Sequence, residues 1–156
     1  MKILERIKAF VDLGFFFQDF SNLEKKHKIF NQSFTENNFF IKEHICYAFK
    51  SLSNMLEQER LEKWILSYKI HKMTRKSVGV ICAGNIPLVC FHDILCVLIL
   101  GNKLYLKPSS KDYVLISFVI KKLLKIEPRF DDLISFSNNI INADIIICTG
   151  NNISAN

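Results

Sequence analysis

The sequence predicts an α/β protein of one domain: a helical lead-in over residues 1–76, then a parallel-sheet unit over residues 77–156. Three observations predict it. Apolar residues recur at helical spacing through the first third of the chain. From Val78 on, the composition shifts to short β-branched apolar runs. Between them, Val78–Ser110 reads as strand, tight turn, buried helix, glycine stop and second strand. A strand–helix–strand of that length is a βαβ unit, which implies parallel strands in a sheet covered on both faces.

In chain order, Ile3, Ile7, Phe10, Leu13 and Phe17 lie at helical spacing with Lys and Glu between them, so the chain opens on an amphipathic helix. Ser21–Ser33 is polar and is expected to be a loop. Thr35 has the chemistry of an N-cap for a helix from Glu36 to about Leu52, carrying Phe39, Phe40, Ile45, Tyr47 and Phe49. A third helix, about Gln58–Tyr68, places Leu61, Trp64, Ile65 and Tyr68 on one stripe, and Lys69–Ser77 is a basic connector. Val78, Val80 and Ile81 form a strand that ends at Ala83-Gly84-Asn85. Pro87 suits the first turn of a helix over Ile86–Leu100, because it loses no needed N–H there. Gly101 sits where a left-handed residue would stop that helix. Lys103–Leu106 is the next strand, and Asp112 can cap a helix to Ile126, closed by Pro128. Leu133–Phe136 and Asp144–Cys148 are the remaining strands, the second a fully buried run through Ile145–Ile147. Thr149-Gly150-Asn151-Asn152 then turns into a helix.

The 156 residues, nearly half of them apolar and 14 of them Phe, are enough for a real core and exclude a disordered chain. The net charge of +6 is compatible with nucleic acid, a membrane surface or an anionic ligand, and a phosphorylated cofactor or a CoA thioester would favour such a basic site. The basic runs Glu24–Lys28 and Lys69–Lys76 are not interleaved with aromatics, so they read as solvated surface and no nucleic-acid partner is expected. Five cysteines without a CxxC pair, and no secretory signal, suit free thiols in a reducing cytoplasm. Most of them lie in apolar runs, where Cys packs as a small hydrophobe. Ile86–Leu100 is too short for a membrane span and is interrupted by His92 and Asp93. No metal site is expected, because Cys90-x-His92 and His44-x-Cys46 lack further ligands.

Three motifs carry a resemblance. Ala83-Gly84-Asn85-Ile86-Pro87-Leu88 resembles the Pro-Trp-Asn-Phe-Pro-Leu segment of aldehyde dehydrogenases. Gly101-Asn102-Lys103-Leu104-Tyr105-Leu106-Lys107-Pro108-Ser109 resembles that superfamily's Gly-Asn-x-Val-x-x-Lys-Pro-Ser, and Cys148-Thr149-Gly150-Asn151 its Phe-Thr-Gly-Ser. Order and spacing agree. With Phe91-His92-Asp93 following, the first motif is most similar to the LuxC-type acyl-CoA reductases.

The resemblance implies an incomplete Rossmann-like sheet of the aldehyde dehydrogenase type, with residues 77–156 a partial NAD(P)-binding unit. It also implies that the chain, which stops at Asn156 inside an expected helix, is an N-terminal fragment, a truncated domain. The implied activity is NADPH-dependent reduction of a long-chain acyl-CoA or acyl-protein thioester to a fatty aldehyde through an acyl-cysteine. None of Cys46, Cys82, Cys90, Cys96 and Cys148 matches the catalytic cysteine motif, so no nucleophile is assigned and the chain alone is expected to be inactive. Cys82 and Cys148 read as core packing. The alternative is a non-catalytic α/β nucleotide-binding or interaction module. Homo-oligomerisation is left open.

Within that resemblance Asn85 is the catalytic candidate, its side-chain N–H2 stabilising the oxyanion that develops on the thioester carbonyl. Lys107, at a strand end, corresponds to a Lys that contacts the adenosine ribose. Ser109 and Ser110 continue that cofactor loop. Ser110 stands where many NAD-preferring relatives place Glu; a hydroxyl tolerates a 2′-phosphate that a carboxylate would repel, which favours NADP over NAD. Thr149, Gly150 and Asn151 form a turn for the cofactor pyrophosphate, although Asn151 replaces the usual Ser and Ser135–Asn142 lacks the Gly-rich turn of many relatives. His92 and Asp93, as i,i+1 neighbours on a helix, do not face each other and are expected to be structural.

Overall fold

The structure is a computed structural model that describes residues 1–22, 27–68, 74–138, 140 and 143–150. Six helices are described: α1 (Ile3–Ser21), α2 (Lys28–Glu36), α3 (Lys42–Met55), α4 (Gln58–Leu66), α5 (Phe91–Ile99) and α6 (Tyr113–Ile126). Four strands, β1 (Ser77–Ile81), β2 (Lys103–Lys107), β3 (Ile134–Phe136) and β4 (Ile145–Cys148), form one parallel sheet in the order β3-β2-β1-β4. The α/β class is therefore as expected, and the helical lead-in precedes the sheet.

Helix α1 forms as its apolar spacing demands, burying Ile7, Phe10, Leu13, Phe17 and Phe20. It is the hub of the lead-in, packing on α3, α4, α5 and α6. The phenylalanines explain how: Phe17 meets Phe49 of α3 edge-on at 5.0 Å and Phe91 of α5 at 5.4 Å, while Phe10 meets Phe130 at 5.6 Å. Such edge-to-face pairs stabilise by about 0.5–1.5 kcal/mol beyond burial. Gly14 allows the close approach of α1 to the end of α3, since a Cβ there would lie 2.8 Å from the Leu56 Cβ. Arg6 ties α1 to the far end of α5 by donating from Nε to the Ile99 carbonyl at 2.7 Å.

The lead-in corrects the expected boundaries. Part of the expected Ser21–Ser33 loop is helix: His27 caps α2 by accepting the Ile29 N–H on Nδ1, and Ile29, Phe30 and Ser33 are buried. Thr35 lies inside α2, its hydroxyl donating back to the Asn31 carbonyl, so it is not an N-cap. Helix α3 begins six residues later than expected, leaving Phe39 and Tyr47 exposed while Ile45 and Phe49 face the core.

In the sheet, register and alternation put Val78 and Val80 beside Leu104 and Leu106 on one buried face, against which α5 packs. Gly79 is on the opposite face. Ile140 and Ala143 lie against it there, and a Cβ on Gly79 would lie 3.1 Å from the Ile140 Cβ. Strand β4 is not the fully buried run expected: Ile145 and Ile146 are about half exposed at the sheet edge. Gly101 stops α5 with φ +79° and its N–H on the Leu98 carbonyl, as expected. Among the described residues, no helix is long and apolar enough to cross a membrane.

Candidate functional site

All four strands are parallel, so their carboxyl ends share one edge, the edge at which α/β sheets bind ligands. The segments after β1, β2 and β4 meet there. The Cys82 N–H donates to the Lys107 carbonyl at 3.0 Å, and the Thr149 N–H to the Ile81 carbonyl at 3.1 Å. The loop of Asn85 is thus flanked by that of Lys107–Ser110 and by Thr149–Gly150.

Residues 86–90 are a turn and not the start of a helix; α5 begins at Phe91. Pro87 therefore sits in the turn. Leu88 takes φ 59°, a left-handed conformation that costs an L-residue roughly 1–3 kcal/mol unless its surroundings hold it. They do. Leu88 is buried, and its N–H donates to Asp112 Oδ2 at 2.8 Å. The Gly84 carbonyl accepts from Asn37 Nδ2 at 2.9 Å. Gly84 lies so close to the β2–α6 loop that a Cβ would meet the Ser109 hydroxyl and come within 2.9 Å of the Lys111 Cβ. Cys82 and Cys90 bracket the turn and are joined by a disulfide, with their Cα atoms 5.3 Å apart. This corrects the expectation of five free thiols. Cys46 and Cys96 are free thiols, and Cys148 is exposed at the end of β4 instead of packing in the core.

Asn85 itself is exposed on this turn and is one of the residues lining a groove of about 550 Å³. Phe39, Tyr47 and Met55 on the α3 side and Ile86 and Val89 on the turn side make its walls mainly apolar. A second groove of about 530 Å³, reaching Trp64 and Leu95, shares Ser51, Met55 and His92 with it.

Of the cofactor candidates, Lys107 and Ser110 are exposed beside the turn. Ser109 is half-buried; its hydroxyl accepts the Lys111 N–H at 3.2 Å and packs on Gly84, so it braces the loop. The Thr149 hydroxyl donates to Asp93 Oδ2 at 2.8 Å, tying β4 to α5, while Gly150 is exposed. Asn151 lies outside the described residues. His92 and Asp93 diverge as expected: His92 stacks near Trp64 at 5.9 Å, and Asp93 holds Thr149.

Asp112 is the carboxyl residue buried in the core among the described residues. Sequence reasoning took it for a helix cap, but its side chain makes no cap bond to α6 and serves the Leu88 turn instead. Burial, opposed by the Leu88 N–H bond and reinforced by the charge of Glu36, pushes its carboxyl up to about 8. Its Oδ1 is buried without a partner, which suits a neutral carboxyl.

No family model matches the chain, and neither the curated proteins nor the solved structures compared with it yield a match. Fold and edge geometry define its class here: an α/β protein with a candidate ligand site at the carboxyl edge of a parallel sheet.

Proposed function

We propose that the chain supplies the oxyanion- and cofactor-binding part of an NADPH-dependent reductase of long-chain acyl thioesters, of the LuxC-type acyl-CoA reductases within the aldehyde dehydrogenase superfamily. The observation that carries the reading is an apolar groove that Asn85 helps to line, with the Lys107–Ser110 loop flanking the Asn85 loop at the carboxyl edge of the sheet. The groove is within the usual range of small-molecule pockets, about 300–1,000 Å³.

In this reading an acyl chain lies along Phe39, Tyr47 and Met55, which places its thioester carbonyl at the Asn85 amide. The amide N–H2 stabilises the oxyanion that develops as a thiolate adds to that carbonyl. The four braces on the turn hold the backbone of Asn85 in place as charge builds. The acyl-accepting cysteine is not one of the five in this chain.

The strand order supports a nucleotide site. β3-β2-β1-β4 is the order of the first four strands of the dinucleotide-binding sheet, in which ligands bind where the order reverses, beside β1. The exposed ammonium of Lys107 and hydroxyl of Ser110 fit an adenosine ribose, with Lys111 near enough in the same loop to offset a 2′-phosphate. NADP is therefore preferred, with NAD the alternative. When bound, the nicotinamide supplies hydride. Thr149 fits less well, since its hydroxyl is already given to Asp93.

Calorimetry with a series of acyl-CoA thioesters tests the reading. Affinity should rise with chain length, by up to about 0.8 kcal/mol per buried CH₂, until the groove is filled. Affinity independent of chain length would remove the acyl groove from the account and favour a non-catalytic nucleotide-binding or interaction module.

A further inference from the structure

We propose that the second groove is a distal subsite for the acyl chain, joined to the Asn85 groove at Ser51, Met55 and His92, so that this joint decides which chain lengths are bound. The subsite rests on the acyl-thioester reading of the first groove and adds to it where the far end of the chain goes.

The two grooves succeed one another in the same order along both of their walls. One wall is α3, where Tyr47, Ser51 and Met55 recur every four residues and so lie on one face. Tyr47 lines the first groove, Ser51 and Met55 line both, and Asn54, in the last turn of α3, lines the second. The other wall runs from the turn into α5 at intervals of three residues. Val89 lines the first groove, His92 both, and Leu95 the second. A chain that starts at Asn85 and follows either wall therefore passes the joint and enters the second groove. Tyr47 to Met55 alone is about 12 Å of helix, and a track of that length suits an extended flexible chain better than a compact ring.

The second groove has the lining such a chain needs. Leu61 and Leu95 are buried and Trp64 is half-buried, so methylenes placed against them leave water. Arg60, also in the lining, is exposed and already paired with Glu57 at 2.8 Å, so it does not call for an anionic ligand. At the joint Ser51 and His92 are exposed, whereas Met55 packs against the core. An unbranched thioether side chain can repack around an incoming chain.

Trp64 is the single tryptophan of the protein, so its emission reports on the second groove. The test is a titration of the full chain with CoA and with acyl-CoA thioesters of graded length, followed by calorimetry and by Trp64 emission. Affinity should rise by up to about four-fold per buried CH₂. The emission should move to shorter wavelength only with thioesters longer than the first groove holds. Ser51→Phe adds a ring at an exposed position of the joint. It should weaken the longest thioesters at least about ten-fold more than the shortest, as the loss of two or more buried methylenes does. The emission signal needs no variant and decides the matter if Ser51→Phe does not fold. Affinity that rises with length while Trp64 emission never moves would overturn the distal subsite and leave the acyl reading of the first groove standing. So would emission that shifts equally with short and long thioesters, or a Ser51→Phe effect equal at all lengths. Affinity independent of chain length would remove both.

Discussion

Replacing Asp112 with Asn should flatten the pH dependence of stability. The carboxyl moves from an ordinary value of 3.8 to about 8 on folding, chiefly because it is buried. A group raised in the folded state contributes its full stability below its unfolded value and loses it as pH rises through the folded one. Stability of the native protein should therefore fall between about pH 4 and pH 8, by about 1.4 kcal/mol per pH unit and on the order of 5 kcal/mol in all. Carboxyls held low act elsewhere. Glu127, lowered to about 2 by Arg129, and Glu5 and Asp144, lowered by their hydrogen bonds, weaken the fold only as pH drops below about 4.5. In Asp112→Asn the amide oxygen still accepts the Leu88 N–H, but an N–H2 stands where Oδ1 has no partner. An unpaired buried donor costs about 1–3 kcal/mol. The variant should be more stable than the native protein at pH 7 by roughly 2 kcal/mol, with the order reversed near pH 4. Denaturant titrations of both proteins at pH 4, 5.5, 7 and 8.5 measure this. Parallel stability profiles would refute the assignment of a buried, neutral Asp112.

Three further predictions follow from the edge geometry. Gly84→Ala should destabilise the fold by about 1–3 kcal/mol, as overpacking does, because its Cβ would overlap Ser109; thermal melts check it. On the proposed reductase reading, Asn85→Ala in an enzyme that also carries an acyl-accepting cysteine should lower kcat about 10²–10³-fold with NADPH affinity nearly unchanged, and steady-state kinetics that show the opposite pattern would remove its oxyanion role. In the same enzyme Ser110→Glu should shift the NADPH-to-NADH ratio of kcat/KM toward NADH, because the carboxylate repels a 2′-phosphate.

The sheet was legible because its signals are local and redundant. Val78–Ile81 and Lys103–Lys107 are short β-branched or alternating runs bounded by turn residues, and Gly101 marks its helix end by the φ only glycine adopts cheaply. The lead-in was less legible between Ser21 and Leu52. There Phe39 and Tyr47 look like core residues by type yet lie exposed, whereas Ile29 and Phe30, in a polar stretch, are buried, Phe30 against the ring of Phe20 on α1. Such contacts have no local signature. The same limit applies to the site. Asn85 and Lys107 were visible in their motifs, but the groove needs α3 to pass beside the turn. The Asn37–Gly84 bond joins residues 47 apart, and Asp112 reads as a cap unless the position of Leu88 is known. The Cys82–Cys90 pair did leave a signal, an eight-residue spacing around a Gly- and Pro-containing turn, which the absence of a CxxC motif obscured.

The central claim is that one edge of this sheet holds an acyl thioester and NADPH side by side. Amide hydrogen exchange with and without each ligand tests it most directly. A long-chain acyl-CoA should protect residues 44–55 and 85–89, and NADPH should protect 107–111 and 149–150, with both sets protected when the ligands are added together. Protection confined to other regions, or none at millimolar ligand, would contradict the account.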